Sequence, residues 1–238
     1  MESIQLSIVI PCYNEGANVS FLIERLVILC DNIKDIEFVL VDNGSTDTTS
    51  SLFTEAAASH HCIRTIRVEK NQGYGYGLLQ GLRETRGNYV GWTHADLQTD
   101  PADALRALAI IKEAGFPKKI FLKGLRHGRP LGDHLFTMGM GIFESILFMR
   151  PLWDINAQPN IFPRTLFEAW ENPPHDFSLD LYAVVTAGRL GYPVRRFPVT
   201  FTDRVHGSSN WNINWWAKLK FIRRTIDFSV TLRWRKKI

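Results

Sequence analysis

Most of the residues in this chain that could do chemistry lie in four short clusters. These are Pro11-Cys12-Tyr13-Asn14-Glu15, Val41-Asp42-Asn43-Gly44-Ser45-Thr46-Asp47, the glycine-rich stretch from Asn71 to Gly75, and His94-Ala95-Asp96-Leu97-Gln98-Thr99-Asp100. Three of them set carboxylates beside amides, hydroxyls or aromatic rings. Farther along, Arg126 and Arg204 carry guanidinium forks that match phosphate geometry. Asp180 is a carboxylate that could act as a general base. Each residue alone has a plain reading. Asp42 and Asn43 before Gly44 can be a turn. Asp96 can cap a helix starting near Pro101, although Asp100 is better placed for that. His94 can be a structural histidine, Arg126 and Arg204 surface ion pairs, and Asp180 a carboxylate stabilised by a helix dipole. What distinguishes these readings is where the clusters fall relative to the elements that carry them.

Residues 5–11 (QLSIVIP) form a short apolar, β-rich run ended by Pro11, which predicts a buried strand. Val19, Leu22, Ile23, Leu26 and Val27 follow at helical spacing within residues 17–30. A second strand is expected at 36–41, a helix at about 48–58 and a third strand at 63–68. After the glycine-rich loop come a helix to about Arg86 and a strand at 88–92. Strands and helices alternating at this spacing predict a mostly parallel sheet with helices on both faces. Ligands on such sheets bind beyond the carboxyl ends of the strands. Three of the four clusters sit just after a strand, so they should converge on one edge, and that convergence weighs more than any single motif. The second half is less regular. It predicts a strand near 119–122, a helix at 135–149 rich in Gly, Met and Phe, a helix at 178–190 ended by Gly191, a strand at 192–201, and a long amphipathic helix at 212–236.

The order Val-Ile-Pro-x-Tyr-Asn-Glu, Val-Asp-x-Gly-Ser-Thr-Asp, Asn-x-Gly-x-Gly and Ala-Asp-Leu-Gln resembles family 2 glycosyltransferases with a GT-A fold, and within them the dolichyl- or polyprenyl-phosphate sugar transferases. Gly124-Leu125-Arg126 and the stretch from Phe197 to Ser209 continue the likeness, which covers about residues 5 to 210. The resemblance implies an α/β GT-A-like (Rossmann-like) domain and an inverting transfer of sugar from a UDP- or GDP-linked donor. It gives Pro11, Tyr13, Glu15, Asp42, Asn71, Gly73, Ala95 and Asp96 to the nucleotide-sugar pocket, with Tyr13 packing on base or ribose and Asp42 accepting a hydrogen bond from them. Asp96 is implied to coordinate Mn²⁺ or Mg²⁺, with Gln98 two residues on and able to face the same side. His94 stands where the family often has Asp. Imidazole suits Mn²⁺ better than Mg²⁺, so His94 is the third candidate ligand. Asn43 replaces another frequent Asp, and Asn210 a frequent Lys. Arg126 and Arg204 would grip the phosphate of a polyprenyl-phosphate acceptor. Transfer to a sugar hydroxyl in polysaccharide or lipopolysaccharide assembly is the alternative, with Asp180 as base. A metal-free nucleotide-sugar-binding protein without turnover is the second alternative.

Bulk properties fit this class. At 238 residues and 45% hydrophobic, the chain can build one large α/β core. Of the net charge of +4, residues 211–238 carry +7, from eight Lys/Arg against Asp227, which leaves −3 for residues 1–210. A nucleic-acid binder more often places its basic residues on the body's recognition surface. The expected division is therefore a catalytic domain at 1–210 and a basic amphipathic extension at 211–238. On a helical wheel Trp215, Leu219, Ile222 and Ile226 share one face. A Trp-bearing basic helix of this kind can lie in the headgroup layer of an anionic membrane. It can equally pack on the body with its Lys and Arg as a solvated face. The start of the chain lacks a signal peptide's basic and long apolar pattern, and no apolar window is long enough to span a bilayer. Cys12, Cys30 and Cys62, odd in number and without metal-ligand spacing, predict reduced thiols. The expected location is thus cytoplasmic, peripheral at the cytoplasmic face of the membrane.

Overall fold

The computed structural model describes residues 4–31, 33–127, 131–202 and 215–235, without the side chains of 131–136 and 215–221. Four strands, β1 (Leu6–Cys12), β2 (Ile36–Asp42), β3 (Ile63–Arg67) and β4 (Tyr89–Trp92), alternate with α1 (Gly16–Cys30), α2 (Thr49–Ser59) and α3 (Tyr74–Glu84). Then come α4 (Asp103–Glu113), β5 (Phe121–His127), α5 (Leu131–Phe148), β6 (Asn160–Pro163), α6 (Arg164–Glu168), α7 (Leu179–Arg189), β7 (Val194–Thr200) and α8 (Trp215–Trp234). The sheet has seven strands in the order β3-β2-β1-β4-β6-β5-β7. β1 to β4 pair in parallel, as do β5 and β7, while β6 runs antiparallel to both its neighbours.

Alternation along the strands divides the core. Ile8 and Ile10 of β1, with Phe38 and Leu40 of β2, pack on α1, α2 and α4 on one side of the sheet. Val9, Val39, Val41 and Trp92 join the helices of the opposite layer, including Leu78 and Leu82 of α3 and Tyr182 of α7. Nearly all of these side chains are fully buried, at about 1.5–3 kcal/mol each. The apolar runs of β1 and β2 reflect this, since a central parallel strand is covered on both faces.

Two features depart from the sequence expectation. β6 and α6 were not foreseen. β6 is only four residues long and follows a polar stretch, so no periodicity marks it. The cysteines also differ from the expected reduced set. Cys30 at the end of α1 and Cys62 before β3 are joined in a disulfide, and only Cys12 is free. The sequence places these two 32 positions apart, and the fold brings their Cα atoms within 6.0 Å. The boundary expected at 210 lies outside the described residues. α8 is docked on the body, with Leu232 buried in the second core layer and the Ser229 hydroxyl donating to the buried Glu144 carboxylate of α5 at 2.6 Å. Among the described residues no helix is long and apolar enough to cross a membrane.

Candidate active site

β1, β2 and β4 all end at one edge, and each hands its polar cluster to that edge. The first sign of convergence is the buried Cys12 thiol. Burial pushes it well above the usual thiol range, and Glu15, Asp42, Asp47 and Asp96 push it further. Four carboxylates from three loops therefore act on one point. Asp42 is almost fully buried at the end of β2. Its Oδ1 accepts the Ser45 N–H at 2.8 Å, as the turn reading requires. Its buried Oδ2 has no hydrogen-bond partner, and the Arg67 guanidinium lies 3.6 Å away. Asp42 thus holds a turn with one oxygen and keeps acceptor capacity on the other.

Asn43 ties this turn to the glycine-rich loop. Its Nδ2 donates to the Gly73 carbonyl at 3.0 Å and to Asn71 Oδ1 at 3.4 Å, and Asn71 Oδ1 also accepts the Gly73 N–H at 2.8 Å. Gly44, at φ +81°, leaves room for the Asn71 backbone, which a Cβ there would meet at 2.7 Å. Gly75 is needed for a different reason. A Cβ on it would stand 2.7 Å from backbone atoms of each of Pro174, His175 and Asp176. The start of α3 is therefore seated directly on the 174–176 segment that leads into α7. Pro11 is half-buried beneath the edge, Tyr13 presents an exposed ring, and Glu15 accepts from Asn18 Nδ2 at 2.7 Å at the start of α1.

Ala95 and Asp96 are buried in the loop after β4. Asp96 Oδ1 accepts the Gln98 N–H at 3.2 Å, and Gln98 Nε2 donates to the Thr202 carbonyl at 3.2 Å. The half-buried His94 ring lies 5.7 Å from Tyr74, which in turn stacks on Phe177 at 4.6 Å. The divalent cation that the family resemblance implies would fit this donor set. Asp96 and Gln98 offer oxygen, His94 offers imidazole, and the carboxylates felt by Cys12 make the edge acidic. Among the described residues no three His, Cys, Asp or Glu side chains gather into a ligand cluster. A cation here would therefore be held by few protein ligands and by oxygens of a bound phosphate, the arrangement Mg²⁺ commonly adopts.

Across the edge stands a buried polar network of which the sequence reading named only Asp180 and missed Lys123, Gln158 and Asn160. Asp180, 1% exposed at the start of α7, accepts on Oδ1 from Gln158 Nε2 at 2.9 Å, Asn160 Nδ2 at 2.9 Å and Trp92 Nε1 at 3.3 Å. Lys123 of β5 is fully buried and donates to Asn160 Oδ1 and to the Ala157 carbonyl. Burial lowers its pKa to about 7 even though Asp180 lies near enough to oppose the shift. Tyr74 has its hydroxyl pushed well up, first by burial and then by Asp180. β6 makes this possible. Because it is antiparallel, its first residue, Asn160, pairs with Trp92 at the site edge. The available signal was a lysine inside the apolar strand Phe-Leu-Lys-Gly-Leu.

Arg126 also reaches this side, but it is engaged. Its guanidinium forms a buried ion pair with Asp154 and lies over the Phe201 ring at 5.1 Å. Burial alone would raise the Asp154 carboxyl, and the hydrogen bond and charge of Arg126 hold it below its ordinary value. Arg204 lies outside the described residues. The structure therefore gathers Pro11, Tyr13, Glu15, Asp42, Asn71, Gly73, Ala95, Asp96, Gln98 and His94 around one edge. Asp180 stands in the network beside them, and Arg126 faces a protein partner.

The family described as glycosyl transferase family 2 matches residues 7–117. The undecaprenyl-phosphate 4-deoxy-4-formamido-L-arabinose transferase of Serratia proteamaculans is 31% identical over 111 residues, 46% of this chain and 34% of the relative. The transferase of the same name from Pectobacterium carotovorum is 38% identical over 104 residues, 42% of this chain and 32% of that protein. The matched stretch thus spans about a third of the curated relatives' length. Among solved structures, glucosyl-3-phosphoglycerate synthase from Mycobacterium tuberculosis, in complex with Mn²⁺, UDP and glucosyl-3-phosphoglycerate, superposes with a TM-score of 0.72. It is 18% identical and covers 96% of this chain and 79% of its own. The same synthase is also known with Mg²⁺ and UDP, at a TM-score of 0.71 and 17% identity over 96% of this chain and 79% of its own.

Proposed function

We propose that this chain, whose residues 7–117 match glycosyl transferase family 2, is an inverting, metal-dependent transferase that moves a sugar from a nucleoside diphosphate to a polyprenyl phosphate. One observation carries the reading: β1, β2 and β4 run in parallel and end at one edge of a GT-A-like sheet, so the loops that carry Glu15, Asp42 and Asp96 all leave from that edge. An acidic edge of this kind repels a bare diphosphate and accepts one that arrives with a cation. Asp96, with Gln98 and His94, would hold that cation. When bound, it would neutralise charge on the departing diphosphate.

The residues of the chain do the rest. Tyr13 offers a flat exposed face to the base or ribose, and Asp42 Oδ2, which faces Arg67 at 3.6 Å without a hydrogen bond, accepts one from them. Asn71 and Gly73 are locked to Asn43, so the donor's pocket wall is fixed before the donor arrives, at a lower ordering cost. The Asp180 network shapes the opposite wall. The curated relatives are named for transfer to undecaprenyl phosphate, which supports a lipid-phosphate acceptor. An anionic membrane surface, at its cytoplasmic face, is the proposed location.

A specific observation favours a second reading. Arg126 is neutralised by Asp154, which weakens its claim on an acceptor phosphate, while Asp180 stands at the site as a buried carboxylate. Transfer to a sugar hydroxyl would use Asp180 as base. Radiolabelled sugar transfer with polyprenyl phosphate against glycan acceptors separates the two. Asp96→Ala should cut transfer by about 10²–10³-fold and abolish Mn²⁺-dependent UDP or GDP binding in calorimetry. A folded Asp96→Ala variant with near-normal turnover would sink the assignment. No turnover with any acceptor, despite nucleotide-sugar binding, would favour a non-catalytic binding protein.

A further inference from the structure

The apolar layer beneath α3 and α7 is crossed by one polar row. Asn160 begins β6, and the sheet register sets it opposite Trp92 of β4 and Lys123 of β5. Lys123 in turn pairs with Arg196 of β7. Cross-strand partners share a face of the sheet. Trp92 belongs to the layer that α3 and α7 cover, so the row points at the start of α7, where Asp180 closes it. Lys123 and Asn160 are fully buried, and Gln158 beside them is 1% exposed.

Every amide proton of Asn160 and Gln158 is engaged. Lys123 Nζ donates to Asn160 Oδ1 and, at 2.9 Å, to the Ala157 carbonyl. Asn160 Nδ2 donates at 2.9 Å to both Gln158 Oε1 and Asp180 Oδ1. Gln158 Nε2 donates to Asp180 Oδ1 at 2.9 Å and to the Tyr74 hydroxyl at 3.4 Å. An ammonium only donates, and a carboxylate only accepts. With Lys123 at one end and Asp180 at the other, the amides have one favoured sense. A reversed Asn160 would set its NH2 against the ammonium and its oxygen against two acceptors.

A buried cation is a costly way to fill a strand position. A methionine of similar length would pack there without desolvating a charge. The other charges nearby are already engaged. Arg126 pairs with Asp154, and the Arg196 guanidinium donates to the Gly124 carbonyl at 3.2 Å and to the Trp153 carbonyl. Lys123 reaches Asp180 through the Asn160 amide. The far end of the row is at the site, since Tyr74 stands between Gly73 and Gly75 with its ring 5.7 Å from His94.

We propose that Lys123 is a positioning residue for transfer: through the Asn160 and Gln158 amides, its ammonium fixes the Asp180 carboxylate and the Tyr74 ring at the wall of the site. The proposal rests on the transferase reading. It makes the geometry of that wall depend on one proton. Burial brings the Lys123 pKa to about 7, with Arg196 and Arg126 acting in the same sense and Asp180 and Asp154 opposing. Below that value the ammonium holds the amides in one sense. Above it the neutral amine can also accept, and Asn160 is free to turn.

The test pairs kinetics with a direct view of the amide. After isotopic labelling of the asparagines, the Asn160 side-chain NH2 resonance should shift with a midpoint near pH 7. The shift should vanish in Lys123→Met. For transfer to undecaprenyl phosphate, the kcat of the parent chain should fall as pH rises through the same midpoint. Lys123→Met should lower kcat about tenfold or more, erase that limb, and leave the donor KM within about twofold, as a misplaced site wall would. Asn160→Asp gives Lys123 a carboxylate to pair with directly, which raises an amine's pKa, so its limb should move to higher pH. This variant carries the test if Lys123→Met does not fold. A limb unmoved in either variant, or a parent-like kcat in Lys123→Met, overturns the proposal. So does an Asn160 resonance that titrates while kcat stays level. A parent chain that transfers no sugar to any acceptor removes the transferase reading, a failure told apart from the proposal's own by the Asn160 titration, which needs no substrate.

Discussion

Arg126 shows how a functional and a structural role can be separated at one residue. Its ion pair with Asp154 is nearly buried on both sides. Removing one partner of such a pair leaves an uncompensated charge, which costs about 3 kcal/mol or more. Arg126→Ala should therefore lower stability in urea by that order, with a modest effect on transfer. A variant of unchanged stability whose acceptor KM rises tenfold would instead give Arg126 to the acceptor. Glu144 makes the second prediction. Burial raises its pKa from 4.5 to about 7, opposed by the Ser229 hydroxyl. The folded state then binds more protons than the unfolded chain between about pH 4.5 and 7, so stability falls as pH rises through that window. Lys123 acts in the next window. Its depressed pKa means that the unfolded chain binds more protons above about pH 7, and stability recovers toward 10.5. Glu144→Gln should remove the acid-side fall, roughly 1–3 kcal/mol between pH 5 and 7 in chemical denaturation. A wild-type slope that survives the substitution would deny Glu144 this role.

Elements of the first half were legible because each carries its own pattern. β1 and β2 are short apolar runs, and α1 repeats at helical spacing. The clusters after them belong to the carboxyl edge of any parallel sheet. Asp42 and Asp96 could be placed together on that ground alone, while Asn71 and Gly73 came only from the resemblance. Lys123, Gln158 and Asn160 could not, because they meet Asp180 only through β6, a four-residue strand whose direction no local pattern reveals. The Cys30–Cys62 bond was equally hidden, since proximity of the end of α1 to the start of β3 is a tertiary fact. The glycine-rich loop was visible as punctuation, but its cause was not. Gly75 is required by the 174–176 backbone, a hundred residues away in sequence. Gly75→Ala must displace that segment or the start of α3. It should cost roughly 1–3 kcal/mol and impair transfer beyond the stability loss, because Tyr74 beside it anchors the Asp180 network. Wild-type melting temperature and turnover would show that the seat is looser than the structure indicates.

For the molecule as a whole, the sequence offered two fates for the C-terminal helix, and the structure shows the packing on the body while leaving an outward face exposed. Leu232 and Ser229 join the body while Ile226, Val230 and Trp234 stand outward. Residues 1–210 sum to −3 and residues 211–238 to +7, and the described basic side chains of the second stretch, Arg223, Arg224, Arg233 and Arg235, sit on or beside the docked helix, which makes the molecule an electric dipole. Near a negatively charged plane a dipole feels a torque before any atom touches. The molecule should turn its basic helix toward the plane during approach. Salt should then slow arrival more than it speeds departure. In stopped-flow mixing with anionic vesicles, raising salt from about one tenth to one half molar, where the screening length shrinks well below 10 Å, should cut the association rate several-fold and leave the dissociation rate within about twofold. An association rate insensitive to salt would mean that the protein finds its surface by collision alone, with no orientation imposed in flight.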